Sequence, residues 1–265
     1  MTATTFNRRP IIQLSLQTIS LVASFMVWVI LSSLMPFISQ DIHLSATQIA
    51  WVTAAPVISG SLLRIPIGYL TSKYGASKLF IVNFVVLVVP VFLISISTQF
   101  ISLIILGLLL GISGATFSIG VTSLPKYFNR EQHGLVNGIF GLGNIGTAFT
   151  SFLAPVFANE FGWRLTVQAY LVLIIVMVAL NVIFGDKQER TTEEKLVNPV
   201  KFLQKNRNIS TLSLFYFLTF GVFVTFTVLL PSYLVSNFAL PKVEAGFITG
   251  VFIVIATLIR ICHLR

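Results

Sequence analysis

No aspartate, glutamate, lysine or arginine occurs between Arg9 and Asp41, between Lys78 and Lys126, between Arg164 and Asp186, or between Arg207 and Lys242. Stretches of that length without charge cannot cover a water-facing surface, and about 20 apolar residues suffice for a helix to cross a bilayer. The interval from Lys78 to Lys126 is long enough for two such helices, with Ser97-Thr98-Gln99-Phe100 as the turn between them. The charge map predicts eight helical spans, at about 11–36, 46–71, 79–97, 101–124, 134–157, 165–184, 210–235 and 244–262. Only 9% of residues are charged and the mean hydropathy is +0.93, against roughly 25% charged in a soluble domain. Arg8 and Arg9 could open a signal peptide. The apolar run after them passes Met35-Pro36 without a clear small-residue cleavage site, so an uncleaved first span is expected.

The same composition excludes several chemistries. A single cysteine, Cys262, rules out an intrachain disulfide and a multi-cysteine metal cluster. His43, His133 and His263 are scattered, with no metal-ligand spacing. No catalytic, metal or cofactor constellation is expected, and the chain is not read as an enzyme. The net charge of +9 finds its explanation in topology. Twelve lysines and arginines, from Arg8 to Arg207, fall in the alternate loops 1–10, 72–78, 125–133 and 185–209, while the opposite loops carry only Arg164 and Lys242. By the positive-inside rule the N-terminus is cytoplasmic, in a multi-pass protein of the cell membrane. Basic residues beside anionic lipid require no nucleic-acid partner.

Residues 185–209 form the one long polar stretch and read as a cytoplasmic linker. The predicted organisation is a six-helix bundle over 1–184, the linker 185–209, and the first two helices of a second bundle over 210–265. A short internal similarity supports duplication. Ile58-Ser-Gly-Ser-Leu-Leu-Arg64 and Val254-Ile-Ala-Thr-Leu-Ile-Arg260 fall in the second and eighth spans, equivalent places in two six-helix halves.

Arg64 lies nine residues before Lys73, roughly 13 Å along a helix from the cytoplasmic end. An arginine at mid-span costs about 2.5–3.5 kcal/mol on insertion scales, so it is expected to face a cavity or a partner. The alternative is a structural arginine bonded to helix-end carbonyls. All eight acidic residues lie in loops or at helix ends, leaving none to neutralise Arg64 at mid-membrane. A guanidinium there favours an anion, and its planar fork suits a planar oxyanion. Arg260 is the equivalent position in the eighth span, close to the water interface.

Gly141-Leu-Gly-Asn-Ile-Gly146 matches the dinucleotide pattern G-x-G-x-x-G, but it lacks the strand–turn–helix context that pattern needs. Within a membrane helix, small residues allow a neighbouring backbone to come close. Gly134, Gly138, Gly141 and Gly146 would give the fifth span a narrow face. Asn144 would bond to another helix or donate its amide to a bound anion.

These stretches resemble the nitrate/nitrite porter family of the major facilitator superfamily. Gly68-Tyr-Leu-Thr-Ser-Lys-Tyr-Gly75 with Lys78 resembles the superfamily's motif between the second and third helices, with Ser72 for the usual aspartate and Lys73 for the usual arginine. Gly141, Gly143 and Gly146 match the family's glycine signature, Arg64 and Arg260 its paired arginines, and Phe215-Tyr-Phe-Leu-Thr-Phe-Gly221 its seventh helix. The resemblance implies an all-α polytopic membrane fold of twelve helices working by alternating access, of which about eight are present here. It implies a nitrate or nitrite ion between Arg64 and Arg260, flanked by Phe117 and Phe220, with Asn144 and Tyr216 bonding its oxygens. Gly68, Ser72, Lys73, Gly75 and Lys78 would form the conformational latch. Coupling would be to nitrite counterflow or to protons, in a monomer whose partners are the inorganic anion and the bilayer. The chain is expected to be a C-terminally truncated form that transports poorly by itself. The alternatives are a major facilitator transporter of another small solute, a non-transporting membrane remnant, and a membrane-anchored dinucleotide enzyme.

Overall fold

The computed structural model describes residues 9–191 and 207–262, with side chains described as far as residue 259. All regular structure among the described residues is helical. Eight segments are long and apolar enough to cross a membrane. We label them α1 (Arg9–Ile42), α2 (Ala46–Tyr74), α3 (Ala76–Ile96), α4 (Phe100–Lys126), α5 (Arg130–Phe161), α6 (Trp163–Phe184), α7 (Arg207–Phe238) and α8 (Lys242–Cys262). Several run further than the charge map predicts. Lys73 lies in the last turn of α2 and Lys78 in the first turns of α3, because long cationic side chains reach the interface while their backbone stays helical.

Local signals set the ends. Ser45 caps α2 through a reciprocal pair with Gln48, its hydroxyl accepting from the Gln48 amide and the Ser45 amide donating to the Gln48 side chain. Gly75 and Gly162 turn the chain between α2 and α3 and between α5 and α6 with φ of 84° and 81°, a region that glycine enters without a Cβ clash. His43 ends α1 in the left-handed conformation.

α3 packs along α6, α2 along α4, and α1 runs through the centre against α4, α5 and α6. α7 leans on the second leg of α1 and on α8, and α8 packs along α5. Large apolar residues such as Val85, Phe92, Ile101, Val172 and Ile175 face outward, as expected when the surrounding solvent is hydrocarbon. The interior contains polar pairs instead. Asn181 donates to Ser20 at 2.9 Å, Gln17 to Ser123 at 3.1 Å, and Thr150 joins Met26 O to the Tyr170 hydroxyl. In lipid such groups tie helix to helix, each contributing on the order of 0.6 kcal/mol.

Charges collect at the two ends of the bundle. At one end Asp41 meets the Trp163 indole and Arg164, both at 3.1 Å, and Arg164 also donates to Ser95 O and Ser97 O. At the other, Asp186 accepts from Arg9 at 2.8 Å and from Tyr127 at 3.0 Å. Burial, and then the Glu189 and Asp186 carboxylates, hold the Tyr127 phenol far above its ordinary range.

Candidate functional site

Arg64 lies on α2, ten residues before Tyr74, roughly 15 Å from that end of the helix. It borders a cavity of about 520 Å³ whose walls include Trp28, Ser61, Ser213, Tyr216, Phe220 and Thr225. None of the described lining residues is acidic. The guanidinium carbon lies 5.5 Å from the centre of the Phe117 ring and 5.0 Å from that of Phe220. Both are cation–π distances, so one cation engages rings from α4 and α7 at once. Its Nε is buried and no hydrogen-bond acceptor meets it among the described residues. Among the described residues the guanidinium meets two aromatic faces, and no bond to a helix-end carbonyl is seen there.

Each partner of Arg64 has a support. Tyr216 stacks on Phe220 with ring centres 5.1 Å apart and planes 10° apart. Phe140 of α5 lies 5.7 Å from Phe117. A Cβ on Gly120 would meet the Phe140 ring at 2.1 Å, so this glycine admits the ring that backs Phe117. The aromatic predictions for Phe117, Tyr216 and Phe220 therefore fall on one constellation. Arg260 continues α8, but its side chain lies outside the described residues.

The glycine signature divides into packed and open positions. Gly141 and Gly134 face open space, so they are not part of a helix-packing face as predicted. Gly143 and Gly146 abut α1, where added Cβ atoms would lie 2.5 Å from Leu21 and 2.1 Å from the Val22 carbonyl. Helical spacing accounts for the division: at 3.6 residues per turn Gly143 and Gly146 lie about 60° apart on one face, while Gly141 lies about 140–160° from both. Asn144 is buried, and its amide donates to Gly141 O at 2.7 Å within its own helix. That bond is neither interhelical nor aimed at the cavity, whose lining excludes Asn144. Its Oδ1 is buried without a described partner. No strand precedes the glycines, and the close backbone approach is to α1 rather than to a pyrophosphate.

The loop motif joins α2 to α3. Ser72 bonds within its own helix, to Gly68 O at 3.5 Å, while Lys73 and Lys78 are exposed. Glu189, which no sequence motif singles out, reaches this end of the bundle. It accepts from the Ala76 amide at the start of α3 at 2.6 Å and from Lys126 at 2.9 Å. A carboxylate at a helix N-terminus is favoured by the helix dipole.

Eight membrane-length helices define an all-helical polytopic membrane protein, with a cavity beside Arg64 lined by α1, α2 and α7. The chain belongs to the Major Facilitator Superfamily, whose family profile matches residues 18–262. It is 55% identical over 249 residues to a "Nitrite extrusion protein" of Bacillus subtilis, covering 94% of this chain and 63% of that protein. It is 49% identical over 253 residues to a "Probable nitrate transporter NarT" of Staphylococcus epidermidis, covering 96% and 65%. The chain thus spans less than two thirds of the length of these curated relatives. Its fold is similar to a crystal structure of a bacterial homologue of the human lysosomal transporter Spinster, inward-facing and occupied. There the TM-score is 0.70 at 15% identity, over 94% of this chain and 60% of that one.

Proposed function

We propose that this chain forms the anion-binding part of a nitrate or nitrite carrier working by alternating access, a transporter and not an enzyme. The observation that carries the reading is Arg64: a guanidinium at mid-span, beside a cavity without a described acid, its Nε unmatched by any described acceptor. The names of the relatives point to the same anions. Nitrate is planar and singly charged, and a guanidinium offers it two parallel N–H groups in one plane. Phe117, Phe220 and Tyr216 supply the flanking aromatic surface, and Arg260 a second cation. Gly143 and Gly146 set α5 against α1, and Asn144 and Gly141 form the turn beside them. Residues 1–184 act as one bundle, 185–209 as a linker, and 210–265 as the start of the opposing bundle, in a monomer.

Titration of nitrate and nitrite into the purified chain in lipid nanodiscs tests this, with a neutral sugar and an organic cation as controls. Saturable binding of the two anions is expected. Binding of the sugar or the cation in their place would overturn the assignment.

The twelve-to-two distribution of basic residues supports a cytoplasmic N-terminus and linker in the cell membrane. A protease added to right-side-out cells should leave segment 185–209 intact, and the same protease added to inverted vesicles should cut it. Cutting in intact cells would reverse the orientation.

A further inference from the structure

We propose that Trp28 is a positioning residue that sets Arg64 and Phe117 into register with each other. The choice of nitrate as its probe rests on the anion reading of the cavity. Trp28 is 5% exposed and borders the cavity, wedged between α2 and α4. Its indole N–H donates to the Pro56 carbonyl of α2 at 3.1 Å. The ring sits in a notch made by glycines on two helices. A Cβ on Gly114 of α4 would lie 2.6 Å from the indole nitrogen, and one on Gly60 of α2 would lie 3.4 Å from it. At the same level α2 and α4 touch backbone to backbone, since a Cβ on Gly60 would meet Gly111 O at 2.9 Å.

The spacing makes this notch consequential. Gly60 precedes Arg64 by four residues, one turn on the same face of α2. Gly114 precedes Phe117 by three, near the end of the 3₁₀ stretch Gly111–Thr116, so it too is one turn away. A single indole therefore contacts both helices one turn before the cation and one turn before the ring that faces it. α1 itself breaks after Trp28, at Val29 (φ −100°, ψ 10°), and its second leg begins at Ile30. Phe25 braces the indole at 5.1 Å. The interruption lets the Trp28 side chain sit in the notch while the next leg of α1 runs on to α7.

Trp28→Phe keeps an aromatic ring and removes the N–H donor. Two readouts on the purified full chain test the role. The nitrate dissociation constant should rise about five- to tenfold, the worth of one hydrogen bond. Modification of Arg64 by phenylglyoxal, followed by mass spectrometry without any anion, should become several-fold faster as the guanidinium leaves the Phe117 ring. A second variant pair guards against a folding artefact. Gly114→Ala should disturb both readouts by pushing the indole out, since its methyl would lie 2.6 Å from the indole nitrogen and 2.7 Å from Cε2, and adding Trp28→Phe should partly restore them, because the smaller single ring can draw back from the methyl. A packing role unconnected to Arg64 would not move the labelling rate. A folded Trp28→Phe chain with unchanged labelling and unchanged affinity would overturn the proposal, and so would a double variant no better than Gly114→Ala. Faster labelling in a protein whose parent binds no nitrate would uphold Trp28 and remove the anion assignment instead.

Discussion

Gly146→Ala will destabilise the fold by about 3 kcal/mol, the upper part of the range for overpacking a fitted interior. The added methyl would lie 2.1 Å from the Val22 carbonyl and 3.0 Å from the Val22 Cα. These are backbone atoms, so no rotamer change can relieve the contact; α5 and α1 must separate. Separation would also open the buried bridge from Thr150 to Met26 O and the Tyr170 hydroxyl, four residues further along α5. Gly141→Ala is the matched control five residues earlier in the same motif. Nothing lies within 4 Å of a Cβ there, so its effect on melting should stay within about 0.5 kcal/mol, the usual range for an open position. Melting in detergent and yield in the membrane fraction measure both. Equal melting of the two variants would show that the motif's glycines do not divide into packed and open positions.

Arg64→Ala will remove nitrate binding, by at least about a hundredfold, because two charged hydrogen bonds contribute roughly 1.5–3 kcal/mol each. The same substitution should not weaken the fold in proportion. A mid-span arginine costs about 2.5–3.5 kcal/mol on insertion scales, while its two cation–π contacts return up to about 2 kcal/mol each. Melting of Arg64→Ala is therefore expected close to that of the parent. Arg64→Lys keeps the charge and loses the planar fork, and should bind nitrate about tenfold more weakly than the parent, one paired N–H contact fewer. Asn144→Ala should change affinity less than either, because its amide already donates to Gly141 O. Retained affinity in Arg64→Ala, or melting far below the parent, would assign this residue a structural task.

The spans were readable because lipid imposes a simple demand: charge is excluded over the length of a helix, and charges end the run. Arg64 was readable for the same reason, as a cost that only a cavity or partner offsets. Phe117, Tyr216 and Phe220 were reached through resemblance, since an aromatic in a membrane helix is ordinary by itself. The partner of the α5 glycines was not readable. Helical spacing puts Gly143 and Gly146 on one face and Gly141 on the other, but that the first face meets Leu21 and Val22 of α1 is decided by tertiary packing. Trp28 and Glu189 escaped for the same reason. Trp28 is defined by Pro56, Gly60 and Gly114, and Glu189 by a backbone amide 113 residues away. Neither stands out along the chain until the helices carrying its partners are brought beside it.

The position of the anion itself is the most direct test of the account. A structure of the chain equilibrated with saturating nitrate, at a resolution that shows the ion, should place it within hydrogen-bond distance of the Arg64 guanidinium and against the Phe220 and Tyr216 rings. Nitrate located elsewhere in the bundle, or an Arg64 still closed on Phe117 and Phe220 with no ion beside it, would contradict the assignment of this cavity as the anion site.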